Sequence, residues 1–132
     1  MRLTQLTADG FKNLRGVAIA PDPAYNLILG ENAQGKTNLL EAIWALTGCR
    51  SFRGSRERDY LPFSGGALQV EARLQDSRRE QSVRLCMTPG GSAPEKRFWC
   101  NDVPQKGGSL FSVFHCVVFT PEDLSLVSGG PE

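Results

Sequence analysis

Eight consecutive residues, Gly30, Glu31, Asn32, Ala33, Gln34, Gly35, Lys36 and Thr37, fit the pattern G-x-x-x-x-G-K-[ST] without a mismatch. Each residue type has a task in phosphate chemistry. The glycines let the backbone turn tightly, so that successive N–H groups face one point. A helix starting there adds its partial positive charge. Lys36 reaches the β- and γ-phosphates as a point charge, and the Thr37 hydroxyl is a ligand for Mg²⁺. This composition predicts roughly 0.005 such matches by chance. The bland alternative is a glycine loop that joins a strand to a helix and holds no ligand.

The flanking elements are those the motif needs. Residues 25–29 form a short apolar run that reads as a buried strand. From 36 to 47 the pattern turns helical: Leu39, Leu40, Ile43 and Leu46 fall on one face, and Ala42 and Trp44 widen it. This predicts a largely buried helix, closed by Gly48 at its C-terminal end. Residues 2–8 and 16–20 read as strands on either side of an Asp9-Gly10 turn. Residues 68–74 and 82–87 alternate as antiparallel strands around a turn at 76–81. Residues 97–100 enter an Asn101-Asp102 turn, 115–119 read as a final apolar strand, and 121–127 as the start of a short helix. Two β-like segments precede the phosphate loop, where a small nucleotide kinase has it after the first strand. That order predicts an α/β P-loop ATPase head of ABC type. Its mixed sheet surrounds the phosphate-loop helix, with an antiparallel layer over roughly 66–104.

The chain has 132 residues, 40% hydrophobic and 22% charged, with a net charge of +1. These values describe one globular domain and exclude a disordered chain. No run approaches the ~18 apolar residues of a membrane span, and no apolar segment follows Met1-Arg2, so a cytoplasmic location without a signal peptide is expected. Fifteen basic residues against 14 acidic ones exclude a strongly basic arm, but not a local basic face. Arg50, Arg53, Arg56 and Arg58 lie close together with Glu57 as the only acid among them. Arg53, Arg56 and Arg58 are candidates for phosphate contacts to DNA. The alternative is a solvated loop paired with Glu57 and Asp59. Arg78, Arg79 and Arg84 form a weaker second candidate. Cys49, Cys86, Cys100 and Cys116 contain no C-x-x-C pair and His115 is the single histidine, so reduced core thiols are expected and a zinc site is not. Phe98, Trp99, Phe111, Phe114 and Phe119 read as core. Residues 116–119 followed by Glu122 and Asp123 superficially look like a Walker B strand. Thr120-Pro121 intervenes, though, and acids after a proline suit a helix N-terminus, so neither acid is assigned a catalytic role.

The run from Asn26 through Ile43, with Phe11-Lys12-Asn13-Leu14, Ser51-Phe52-Arg53, Phe119-Thr120-Pro121-Glu122-Asp123-Leu124 and Gly129-Gly130-Pro131, resembles the RecF family of bacterial DNA replication and repair ATPases. The matches occur in family order and span nearly the whole chain. Ala33 departs from the family's usual glycine. The resemblance implies ATP and Mg²⁺ as cofactors and a nucleotide contact from Lys12 and Asn13. For the intact protein it implies ATP-dependent homodimerisation, binding at single-strand/double-strand DNA junctions, and partnership with RecR in loading RecA. Roles in gap repair, replication restart and the DNA-damage (SOS) response come with it. It also implies that residues 1–132 are the N-terminal lobe of an ABC/SMC-type head, an incomplete domain without arm, signature motif or Walker B acids. Such a lobe is expected to bind ATP without hydrolysing it. The alternatives are another SMC-like head, such as that of an OLD-type nuclease, and a P-loop nucleotide kinase.

Overall fold

The computed structural model describes residues 1–29, 34–106 and 113–119. In chain order the elements are β1 (Arg2–Asp9), β2 (Val17–Ile19), α1 (Gln34–Ala45), a 3-10 turn (Glu57–Tyr60), β3 (Leu68–Gln75), β4 (Glu80–Thr88), β5 (Glu95–Cys100) and β6 (Val103–Gln105). The described strands form one sheet in the order β2-β1-β3-β4-β5-β6, and every pairing is antiparallel.

Period-two alternation builds this sheet. In β3, Leu68, Val70, Ala72 and Leu74 are buried, and in β4 so are Val83, Leu85 and Met87. The register sets Val70 opposite Leu85 and Ala72 opposite Val83. Leu6 and Ala8 of β1 meet Ala72 and Val70 from the other side, and Phe98 of β5 meets Leu85. One face of the sheet is therefore continuously apolar, and a one-residue slip would turn all of it to solvent. Turn chemistry fixes that register. The Asp76 carboxylate accepts the backbone N–H groups of Arg78 and Arg79 at 2.7 and 2.8 Å, which hold its pKa below the ordinary value. Asn101 and Asp102 adopt φ of 51° and 64°, the left-handed pair a tight hairpin requires. Pro104 is tolerated because β6 is an edge strand.

Helix α1 covers the apolar face, against β3. Of the predicted face, Ala42 and Leu46 are buried and Leu39 and Ile43 pack partly buried against the core, whereas Leu40 is 47% exposed; Asn38, Glu41 and Ala45 are buried as well. The small Ala42 and Ala45 let the helix approach the sheet closely. Gly48 closes the helix as expected, at φ 79°, with its N–H on the Ala45 carbonyl at 3.1 Å.

Two expected strands are not strands. Residues 25–29 pair with nothing among the described residues, and Tyr25, Leu27 and Leu29 are 75%, 65% and 78% exposed. Residues 115–119 are likewise irregular, with Val117 and Phe119 exposed, which also corrects the placement of Phe119 in the core. A run that is apolar on both faces needs a partner strand and cover on each side, and the described sheet offers neither. Asn26 folds back on Asp22 as well, accepting its N–H at 2.8 Å and donating to its carbonyl at 2.9 Å. Phe98 and Phe114 are buried as expected, while Trp99 is half-buried beneath the Arg84 guanidinium, 4.5 Å from its ring centre. The expected helix at 121–127 and Phe111 lie outside the described residues. Among those described, no helix is long and apolar enough to cross a membrane.

The β1–β2 connector is set by Gly10. Its φ is 78°, and a Cβ there would lie 2.5 Å from the Ala67 carbonyl oxygen, a backbone atom at the mouth of β3. Gly16, at φ 55°, has open space around it. Gly16→Ala should therefore cost only the left-handed backbone strain, about 1–2 kcal/mol. Gly10→Ala should cost distinctly more, because the carbonyl must move as well. Urea denaturation of the two variants compares them, and equal losses would contradict this account.

Candidate nucleotide-binding site

Gly35, Lys36 and Thr37 stand in the first turn of α1, where backbone N–H groups have no intrahelical partner. No acidic residue occupies that turn. Thr37 is exposed and Lys36 half-buried. Among the described residues, a Cβ added at Gly35 would meet nothing within 4 Å. A helix start without an acid, a lysine and a hydroxyl in that turn fit a nucleotide phosphate chain and its Mg²⁺. Residues 30–33 of the motif, including the alanine that departs from the family pattern, lie outside the described residues.

One turn further along α1 is a polar cluster built from three segments. Glu41 has no solvent exposure. Its Oε1 lies 2.5 Å from Lys12 Nζ and 3.4 Å from Arg53 Nη1, and its Oε2 accepts the Ser51 hydroxyl. Lys12 also donates to Ser55 Oγ at 3.0 Å. Asn38 accepts from Arg53 Nη1 at 2.9 Å and donates to Asn13 Oδ1 at 2.6 Å. Lys12 carries a left-handed φ of 52°, held there by its N–H on the Tyr60 carbonyl at 2.8 Å. Phe11, fully buried, packs its ring 4.8 Å from that of Tyr60.

Burial alone would raise the Glu41 pKa. The hydrogen bonds from Lys12 and Ser51, with the Lys12 charge, outweigh it and hold the carboxyl below its ordinary value of 4.5. Tyr60 moves the other way: burial, with the charges of Glu41 and Glu57, pushes its phenol up to about 12 against a hydrogen bond with Ser51.

The structure thus places Lys12 and Asn13 beside the helix that follows the phosphate loop and gives both of them protein partners there. With Asn38, Arg53, Ser55 and Arg58 they line a cleft of about 630 Å³. The candidate DNA-contacting arginines Arg53, Arg56 and Arg58 are all exposed, and Arg53 is also tied to α1. Arg84 sits over Trp99, 3.8 Å from Asp102, which gives it a part in the sheet. The four cysteines are free and half-buried rather than fully in the core, and the Cys116 thiol is pushed up to about 11 by burial and by Cys49. Glu122 and Asp123 lie outside the described residues. Sequence reasoning missed Glu41, Asn38 and Ser51 as a unit. The available signal was the spacing of Asn38, Glu41, Ala42 and Ala45, one helix stripe that puts two polar side chains in line with two small ones.

A family model described as "AAA domain" matches residues 5–106. Over 132 residues the chain is 38% identical to the DNA replication and repair protein RecF of Lactobacillus acidophilus, covering 99% of this chain and 34% of that protein. A solved structure described as "Structure of the recombination mediator protein RecF-ATP in RecFOR pathway" is similar at a TM-score of 0.84 and 32% identity, over 95% of this chain and 34% of that one. The SMC head domain from Thermotoga maritima shares the fold at a TM-score of 0.68 and 23% identity, over 86% of this chain and 42% of that one. The chain spans about a third of the length of the curated relatives it matches.

Removing Lys12 would leave the buried Glu41 with only part of its compensation. Lys12→Ala should destabilise the chain at neutral pH by roughly 3 kcal/mol. The folded-state pKa of Glu41 is depressed, so its stabilisation is present above the unfolded value of 4.5 and is lost as pH falls through the lower folded value. The gap between wild type and Lys12→Ala should therefore narrow below pH 4.5. Urea denaturation across that range measures it, and a gap independent of pH would show that the pair is not its source.

Proposed function

This chain belongs to the AAA domain family and is homologous to the N-terminal third of RecF, and from that premise we propose that it is the ATP-binding lobe of a RecF-like ATPase acting in DNA replication and repair. The observation that carries this reading is the placement of Gly35, Lys36 and Thr37 on the first turn of α1, which holds no acidic residue. In this reading residues 30–37 cradle the phosphates of ATP, Lys36 contacts the outer ones, and the Thr37 hydroxyl ligates Mg²⁺. Bound Mg²⁺ supplies charge neutralisation on the phosphate chain. Lys12 and Asn13 border the same helix and help to shape the nucleotide side of the cleft.

The intact protein, on the same proposal, dimerises with ATP, binds single-strand/double-strand DNA junctions and works with RecR to load RecA in the cytoplasm. Residues 1–132 are its N-terminal head lobe, and the signature motif and Walker B acids come from sequence outside them. Arg56 and Arg58, both exposed, support a phosphate-directed DNA contact. Identity of 38% and 32% to RecF proteins, against 23% to the SMC head, favours the RecF reading over another SMC-like ATPase.

Lys36→Ala should weaken ATP binding about tenfold to a hundredfold, because a charge-assisted phosphate contact contributes roughly 1.5–3 kcal/mol. Titration with labelled nucleotide decides, and unchanged affinity would sink the assignment. DNA binding should fall steeply with salt and depend little on sequence. Arg56→Ala with Arg58→Ala should flatten the dependence of log affinity on log salt by up to about 2. An unaltered slope would make these two arginines solvated surface.

A further inference from the structure

Arg53 is the one arginine of residues 50–58 whose guanidinium is bonded to α1, and it shares that anchorage with Ser51. Both converge on Glu41, which has no contact with solvent. The other side of the same carboxylate is taken by Lys12, which reaches on to Ser55 in the same loop. The loop at 51–55 is therefore held by three polar side chains, whose bonds run to Glu41, to its lysine partner, or to Asn38 one helical turn away, and by Phe52, whose ring meets Trp44 of α1 edge-on at 5.9 Å. The backbone adds little to this attachment. The bonds within it are local, such as Gly54 N–H to the Ser51 carbonyl at 3.3 Å. The same stripe of α1 begins immediately after Thr37.

We propose that Glu41 is a positioning residue: its buried carboxylate clasps the arginine-rich loop and the β1–β2 connector onto the phosphate-loop helix, so that nucleotide occupancy and loop closure are coupled. The clasp stands on the geometry of this cluster alone; the coupling rests on the nucleotide-binding reading above. An ionised carboxylate holds two cations and a hydroxyl at once. A carboxamide in its place keeps the shape but loses the charge, and its NH₂ group faces donors where an acceptor was. A ligand that orders the first turn of α1 also orders Asn38 and Glu41 on the next. Coupling of this kind is reciprocal, so a closed loop should in turn favour the bound nucleotide.

Trypsin reads the loop directly, because it cleaves after Arg53, Arg56 and Arg58. In the ligand-free 132-residue chain, Glu41→Gln should be cleaved there about tenfold faster than wild type, as loss of a charge-assisted bond raises the open population. Circular dichroism and urea denaturation establish that the variant is folded. Should it fail to fold, Arg53→Ala opens the loop from its other end while leaving the Lys12–Glu41 pair, and should speed cleavage after Arg56 and Arg58. Glu41→Asp should recover part of the protection. ATP with Mg²⁺ should slow cleavage of the wild type and leave Glu41→Gln largely unprotected at saturating nucleotide. Lys36→Ala should show no protection with ATP. Wild-type cleavage rates in both Glu41→Gln and Arg53→Ala would overturn the clasp. Equal protection by ATP in wild type and Glu41→Gln, or bound nucleotide without protection in either, would overturn the coupling. No nucleotide binding to wild type would refute the nucleotide reading and the coupling, while faster cleavage of Glu41→Gln would still support the clasp.

Discussion

A carboxylate with no solvent exposure sits one turn behind the N-terminal end of α1, and three segments are arranged so that it can stay ionised there. Taking a carboxylate out of water costs several kcal/mol even after relaxation, and only close cations and well-placed donors offset it. That constraint accounts for features that look unrelated in the chain. Lys12 holds a left-handed backbone that a non-glycine residue rarely adopts, and persists in it because its N–H is bound to the Tyr60 carbonyl while its ammonium is bound to Glu41. Gly10 makes the bend that delivers Lys12 to this point, against the Ala67 carbonyl, where no side chain fits. The loop after the helix returns to the same carboxylate through Ser51 and Arg53.

The sheet sets where that carboxylate can be. Its inner face is a plane of valine, leucine and alanine fixed by the pairings of β1, β3, β4 and β5. Each fully buried side chain on it contributes roughly 1.5–3 kcal/mol relative to exposure. Ala42 and Ala45 bring α1 down on this plane, and Glu41, their neighbour on the helix, is carried in with them. The polar cluster forms at the rim, where the connector from β1 and the loop from α1 both arrive.

The sequence makes some of this legible and hides the rest for identifiable reasons. Alternation over 68–74 and 82–87 gives β3 and β4 because each has one wet face, and the Asn101-Asp102 pair gives its hairpin because few other residues tolerate that φ. The helix and its glycine stop follow from period and capping, and the phosphate motif from residue identity alone. The helix face is legible apart from Leu40, which is misplaced because counting leucines weighs hydrophobicity, whereas close packing against a sheet weighs size. The role of Glu41 is hidden because its compensating partners lie 29 residues before it and 10 to 12 after it, beyond any local pattern. Residues 25–29 and 115–119 carry strand composition, but composition supplies no partner strand. For the first of them the Asp22–Asn26 turn competes as well.

The pairing of Glu41 also matters for the charge seen at the far end of its helix. An anion at the first turn of α1 depends on the N–H groups of that turn and on Lys36. A bare carboxylate at Glu41 would lie only about 6 Å along the axis from Thr37, at 1.5 Å per residue. Over such a distance, in a partly desolvated setting, an uncompensated negative charge opposes a phosphate by an amount comparable with what the helix end contributes. Lys12 at 2.5 Å and Arg53 at 3.4 Å offset that charge within a local ion cluster. The first turn carries no acid of its own. The same contacts that make a buried carboxylate tolerable thus leave the positive end of the helix intact, and a fold that needs polar anchorage in its core keeps it without weakening the site where phosphate would bind.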